Sequence, residues 1–316
     1  MNILNIYEKF YKDLNRDNND DYSLVKICDY MFVGEDANGN VSVVLKSSEP
    51  NRDGIAMKTK LMSFECNTLL ESVIGTEKVE DYCHIFKCYS NDDNDRRYFL
   101  ELCGAFFVKM DIKIEDIVEI FNTLNELFNK NTKLSNSEME GLFGELYTIY
   151  HFYNRVDLSS FYQKKEKQKF DFNVDENTKI EVKTTFNKDR IHRFRHDQLT
   201  LDNTKVFLVS YKMLKDQNGL NLYELLNKVI NYFYNQPYIK ARLLSYMKND
   251  LDIQVLKSFS INENYLISNM RIYDSETIPH FKQKNPQFVS GTEYDSNCDA
   301  AKEISEDEFV SYLIWL

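Results

Sequence analysis

Apolar residues recur every three or four positions at the start of the chain (Ile3, Ile6, Tyr7, Phe10 and Leu14), which predicts an amphipathic helix. Short runs of strand-like composition follow at Val25–Val33, Val41–Lys46, Lys58–Glu65, Tyr82–Tyr89 and Tyr98–Phe107. Asn38-Gly39 supplies a hairpin turn between the first two. Ile114, Ile117, Ile120, Phe121, Leu124 and Leu127 then mark one face of a helix over Ile114–Asn129. Residues 1–132 are therefore expected to form a β-rich N-terminal domain, to which the sequence assigns no role. Asp92, Asp93 and Asp95 read as a solvated acidic turn rather than a metal loop.

The polar stretch Asn129–Ser137 marks a boundary, and residues 133–316 follow an α/β pattern. Ser135-Asn136-Ser137-Glu138 matches a capping box and predicts a helix from about Asn136 to Tyr153. Lys169–Val174 and Thr178–Thr185 alternate as strands. Lys205–Lys212 is an apolar run suited to a strand buried on both faces. Leu222–Tyr234 and Tyr238–Lys248 are predicted helices separated at Pro237, Glu263–Tyr273 a strand and Glu306–Leu316 a last helix.

The segment KFDFNVDENTKIEVKTT, Lys169 to Thr185, carries the candidate chemistry. Phe170, Phe172 and Val174 alternate with Asp171 and Asn173; Ile180 and Val182 alternate with Lys179, Glu181 and Lys183. Side chains alternate across a strand, so Glu181 and Lys183 leave one face. If Asp175-Glu176-Asn177 is a three-residue loop, Val174 pairs with Thr178 and Asp171 with Glu181, on the same side. A two-residue loop would instead set Asp171 against Val182 and drive charge into the core. Asn177 is expected to take the left-handed conformation such a loop needs. Two carboxylates side by side destabilise a sheet unless something compensates them, as a divalent cation with oxygen ligands does. Lys183 could then orient an attacking water or stabilise charge at a phosphate.

The helix before this hairpin reads Glu138-Met139-Glu140-Gly141-Leu142-Phe143-Gly144-Glu145-Leu146-Tyr147. Each glycine inside a helix costs about 1 kcal/mol relative to alanine, so both are expected to permit close approach to a sheet. Glu145 sits at the edge of an apolar stripe, where a plain surface glutamate is the competing reading. Glu138 lies on the same face, but its capping role accounts for it.

Composition narrows the choice of partner. The 316 residues are 43% hydrophobic with net charge −11, enough for a core but unlike a protein that coats nucleic acid nonspecifically. Tyr162 to Gln198 holds ten Lys or Arg and seven Asp or Glu, a net of +3, leaving −14 on the remainder. Within it, Lys188, Arg190, Arg193, Arg195 and Gln198 are candidate DNA contacts, and Phe194 could stack on a base or simply pack. His192 and His196 are four apart, without the glutamate or third histidine of a zinc helix. The six scattered cysteines form no CxxC pair and suit buried thiols in a reducing cytoplasm. Met1–Lys12 lacks a signal-peptide pattern, and no apolar run is long enough for a membrane span. No GxxxxGK[ST] or GxSxG motif points to nucleotide or acyl chemistry.

Gly144-Glu145-Leu146 on a helix, then Asp171, then Glu181-Val182-Lys183, resembles the core of the PD-(D/E)xK nuclease superfamily. More closely, it looks like a little-characterised family of that superfamily found beside restriction-modification genes. The matching pieces are GLFGEL, the DF strand and the EVKTT strand, with Ile278-Pro279-His280-Phe281 as a shorter match near that family's end. The resemblance covers Asn136–Gln198 well and the N-terminal unit weakly. It implies a restriction-endonuclease-like core, a mixed central sheet flanked by helices, and Mg²⁺-dependent (or Mn²⁺-dependent) cleavage of DNA in a restriction or phage-defence setting. Asp171, Glu181 and the Val182 carbonyl would be metal ligands, Lys183 catalytic, and Glu145 a support of the metal site. Phe170 stands where a proline usually precedes the first aspartate. Two alternatives stay open: a catalytically silent DNA- or protein-binding subunit with the same fold, and a nuclease for branched DNA or RNA. The acidic balance leads to the expectation of a homodimer or of a partner ATPase or methyltransferase that supplies DNA affinity.

Overall fold

The computed structural model describes residues 3–11, 22–50, 52–74, 77–107, 113–129, 133–163, 168–200, 203–283, 285–289 and 291–315. Its chain divides into two compact units, Met1–Thr132 with Pro237–Asp252, and Lys133–Gln236 with Ile253–Leu316. The first unit thus takes in a segment that the sequence pattern alone placed in the second.

In the first unit, α1 (Ile3–Tyr11) precedes strands β1 (Tyr22–Cys28), β2 (Met31–Asp36), β3 (Val41–Lys46), β4 (Ala56–Lys58), β5 (Met62–Ile74) and β6 (Glu77–Cys88). Leu14 of the expected first helix lies outside the described residues. The strands form one antiparallel sheet in the order β1-β2-β3-β6-β5-β4. Gly39, at φ +78°, turns β2 into β3 as the Asn-Gly pair predicts. The expected strand at Tyr98–Phe107 is instead the end of helix α2 (Asp93–Phe106). Asp92 caps it by accepting from the N–H groups of Asn94 and Asp95, and Tyr98, Phe99, Leu102, Cys103 and Phe106 all turn inward. Aromatic content suggested a strand, but cap and spacing specify a helix. Helix α3 spans Ile114–Asn129, with its predicted face buried.

The second unit begins with α4 (Asn136–Phe152), whose capping box joins Ser135 and Glu138 in both directions. There follow β7 (Phe172–Asn173), β8 (Thr178–Thr185), β9 (Ile191–Arg195), the single turn α5 (His196–Leu199), β10 (Lys205–Lys212), β11 (Lys215–Asn221) and α6 (Leu222–Val229). After α7 (Pro237–Ser245), which belongs to the first unit, come α8 (Asp250–Ser258), β12 (Ser260–Ile261), α9 (Glu263–Ser268), β13 (Met270–Asp274), β14 (Glu293–Asn297), β15 (Glu303–Ile304) and α10 (Glu306–Ile314). The run Glu263–Tyr273, expected as one strand, is split: Asn262 caps α9 by accepting from Tyr265 N–H, and only Met270 onward is extended. The central sheet is mixed, in the order β15-β13-β10-β8-β7, with β8 and β10 parallel and the other neighbours antiparallel.

Both faces of β8 are covered. On one, Gly144 brings α4 so close that a Cβ there would stand 2.4 Å from Thr184 Cγ2 and 3.2 Å from Val182 Cγ1. The same test finds open space at Gly141, so close approach explains one glycine and not the other. Thr148 fixes α4 to β10 through the Tyr211 hydroxyl at 3.1 Å. On the opposite face lies the two-stranded ribbon of β9 and β14, whose Phe194 joins Leu199, Leu208, Tyr273, Ile278 and Cys298 in an apolar cluster. Among the described residues no helix is long and apolar enough to cross a membrane.

Candidate metal-dependent nuclease site

Strands β7 and β8 set the geometry of the site. Phe172 pairs with Ile180 and Asn173 with Lys179, and Val174 N–H donates to the Thr178 carbonyl at 3.1 Å. This is the register of a three-residue loop. Asn177 is not left-handed, however; Asp175 instead accepts from the N–H groups of Asn177 and Thr178 at 2.6 and 2.7 Å, a side-chain-built turn. Beyond Phe172 the ladder stops. Asp171 leaves it to accept from Val182 N–H at 2.7 Å through Oδ2, while its carbonyl accepts from Gln163 N–H. A carboxylate thus takes a main-chain partner of β8 just where the strands part.

Glu181 is buried, and its Oε1 meets Lys183 Nζ at 2.7 Å and the Gln198 amide Nε2 at 2.9 Å. Its Oε2 is buried with no hydrogen-bond partner among the described residues. Glu145, one residue beyond the Gly144 contact, accepts at Oε2 from the Tyr162 hydroxyl at 2.5 Å and from Gln163 Nε2 at 3.2 Å. Asp171, Glu145 and Lys183 keep partial exposure around the buried Glu181.

Electrostatics show these side chains to be one group. Burial, then the charges of Glu181 and Glu145, push the Asp171 carboxyl well above the usual carboxylate range, against the Val182 N–H and Lys183. Burial also raises Glu181, opposed by Lys183 and Gln198. Burial alone would lower the Lys183 ammonium, but Glu181, with Asp171 and Glu145, outweighs it and raises the lysine. Crowded carboxylates that resist ionisation mark a site that a cation would stabilise. Among the described residues no three His, Cys, Asp or Glu side chains form a ready-made metal cage. Two carboxylates and the Val182 main-chain carbonyl nevertheless suit Mg²⁺ or Mn²⁺, which prefer oxygen donors and keep several waters. The unpartnered Glu181 Oε2 is the atom that such an ion would satisfy.

Behind Lys183, β9 places strictly alternating side chains: Ile191, Arg193 and Arg195 outward, His192 and Phe194 inward. The Phe194 ring lies 5.7 Å from Lys183 Nζ, so Phe194 packs in the core and does not present itself to a base. His192 Nε2 meets Ser210 Oγ at 2.7 Å, and Ser210 pairs in register with Lys183. Burial, with Lys183 and Arg190 nearby, pushes His192 down to about 3, so it stays neutral.

Two of the expected DNA contacts require correction. Arg190 is only 3% exposed; its guanidinium donates to the Ser210 carbonyl and hydroxyl at 3.0 Å and to the Asn269 carbonyl, and pairs with Asp299. Its charge is used inside the fold, out of reach of a phosphate. Gln198 is also buried and bridges Glu181 to the Lys169 carbonyl at 3.0 Å, while its Oε1 accepts from Arg195 N–H. It positions Glu181. Lys188, Arg193 and Arg195 are exposed, although Arg193 pairs with Asp295 and Arg195 with Asp197.

Tyr162, Gln163 and Ser210 were missed in the sequence. Ser210 had a signal, being the polar residue in the middle of an apolar run; nothing local marks Tyr162 or Gln163 as partners of Glu145.

A helix-borne glutamate, then an Asp immediately before one strand and Glu-x-Lys on the next, within a mixed sheet, is the arrangement of the PD-(D/E)xK class. A family model described as "Putative PD-(D/E)XK family member, (DUF4420)" matches residues 7–298. The chain belongs to this family, whose span includes the N-terminal sheet as well as the nuclease-like unit. No curated protein and no solved structure shows a significant match to the chain.

Proposed function

We propose that the second unit is a restriction-endonuclease-like nuclease domain that hydrolyses DNA phosphodiesters with Mg²⁺, or Mn²⁺, held by Asp171, Glu181 and the Val182 carbonyl. The observation that carries this reading is the coupling of three carboxyl groups and one ammonium around a buried glutamate oxygen that lacks a partner. Once bound, the ion would supply Lewis acidity toward the phosphate and acidify a coordinated water. Lys183 remains an ammonium and cannot accept a proton. Its part is to donate a hydrogen bond to the attacking water or to charge developing on the phosphate. Gln198 holds Glu181 in place, and Glu145, fixed by Tyr162 and Gln163, adds negative charge that keeps Lys183 protonated.

Lys188, Arg193 and Arg195 would track the DNA backbone, because they are the exposed cations among the described residues of the basic segment. Their acidic neighbours Asp295 and Asp197, and the net charge of −11, suit a protein that gains DNA affinity from dimerisation or from an ATPase or methyltransferase subunit in a restriction or phage-defence system. Calorimetric titration with Mg²⁺ and Mn²⁺ tests the metal assignment. Wild type is expected to bind and Asp171→Ala to lose binding; equal heats from both proteins would contradict it.

A further inference from the structure

A half-open cavity of about 580 Å³ lies beside β7, which contributes Asn173 to its wall, within the roughly 300–1,000 Å³ of small-molecule sites. It shares walls with the nuclease machinery. Tyr162, whose hydroxyl holds Glu145, lines it, as does Lys169, whose carbonyl anchors Gln198. The remaining walls include Ser160, Phe161, Gln168 and Asn173.

The chemistry of this lining is selective. Among the described residues its one lysine is already paired, since Lys169 Nζ lies 3.2 Å from Asp197 and 5.4 Å from the Phe170 ring. Asn173 Nδ2 donates to Gln168 Oε1 at 3.3 Å. That bond turns one amide's donor against the other's acceptor and leaves Gln168 Nε2 as a donor beside Asn173 Oδ1 as an acceptor. Phe161 is partly exposed at the wall, whereas the Tyr162 ring is committed to Phe172 and Phe233. A neutral amide pair and a partly exposed aromatic ring lining one cavity are the groups with which proteins read a planar base that has left its stack.

We propose that this cavity receives a single unstacked nucleobase of the nucleic acid strand held at the neighbouring site, with Gln168 and Asn173 on its hydrogen-bonding edge and Phe161 on its face. The proposal deepens the nuclease reading and rests on it for the source of the base, but the pocket can be tested without cleavage. Saturation-transfer NMR on the full chain, with deoxyadenosine, deoxyguanosine, deoxycytidine, thymidine and inorganic phosphate as separate probes, reads its occupancy directly. We expect transfer to at least one nucleoside, a several-fold loss in Gln168→Ala and Asn173→Ala, and retention in Asp171→Ala, which disables the metal site alone. No transfer to any nucleoside, transfer unchanged in both amide variants, or phosphate displacing the nucleoside would overturn it. A protein that fails to cleave DNA yet shows the expected transfer would retain the base pocket and lose the nuclease reading, so the two failures are distinguishable.

Discussion

Replacing Gly144 by alanine sets two opposed effects against each other. Helix propensity alone favours the change by about 0.8–1.0 kcal/mol. The added Cβ, however, would lie 2.4 Å from Thr184 Cγ2 and 3.2 Å from Val182 Cγ1. Both neighbours are β-branched and stiff about χ1, so either Thr184 leaves its rotamer or α4 moves off β8, an overpacking that typically costs about 1–3 kcal/mol. Gly141→Ala is the matched control: same helix, same propensity gain, and open space around the new methyl. Subtracting one from the other cancels propensity, so Gly144→Ala should be less stable than Gly141→Ala by about 1–3 kcal/mol. Urea unfolding followed by circular dichroism measures the difference. Thr184→Ser deletes Cγ2 and should recover part of the loss in the Gly144→Ala background but not in the Gly141→Ala background. Equal stability of the two alanine variants, or no rescue by Thr184→Ser, would refute the close approach of α4 to β8.

Gln198→Ala should lower metal affinity or cleavage about 10–100-fold, read by titration and plasmid assay, with wild-type activity counting against a positioning role. Arg190→Ala should destabilise by a few kcal/mol, since each buried partner left unsatisfied costs about 1–3 kcal/mol. Arg193→Ala and Arg195→Ala should leave the melting temperature within about a degree or two while weakening DNA binding and its salt dependence; the reverse pattern would restore Arg190 as a DNA contact. Asp171 and Glu181 hold protons in the fold above the ordinary carboxylate range near pH 4. The folded state therefore binds more protons than the unfolded chain, and metal-free stability should fall as pH rises from about 4 through the raised values. Asp171→Asn should flatten that decline, and Mg²⁺ should restore more stability at pH 8 than at pH 5. Thermal melts in EDTA with identical pH slopes for both proteins would contradict the coupling.

Much of the site was legible because it is local. The Ser135 cap, the bounds of β8 and β10, and the register across Asp175-Glu176-Asn177 follow from alternation and from a loop only a few residues long. Legibility failed where distant segments decide. The alternation Ile191–Arg195 is visible in the sequence, but which face is buried depends on β14, about a hundred residues later, so Arg190 and Gln198 looked like surface groups. Aromatic composition predicts a strand at Tyr98–Phe107, but the Asp92 cap and the helical spacing of the buried residues behind it prevail in the fold. The sequence pattern predicts neither strand β11 nor helix α8: the former has four of its seven residues charged or amide-bearing before Gly219, and the latter buries only Leu256 and spaces Leu251, Ile253 and Val255 as a strand would.

The central claim is that Asp171, Glu181 and Lys183 perform metal-dependent phosphodiester hydrolysis. Supercoiled plasmid incubated with the purified protein, and with any partner that proves necessary for DNA affinity, should be nicked or linearised in Mg²⁺ and left intact in EDTA. Glu181→Gln and Lys183→Ala should each lose at least about 100-fold in rate, the scale of removing a group that stabilises transition-state charge, at unchanged fold. A Lys183→Ala protein that cuts at the wild-type rate, or cutting that persists in EDTA, would contradict the account.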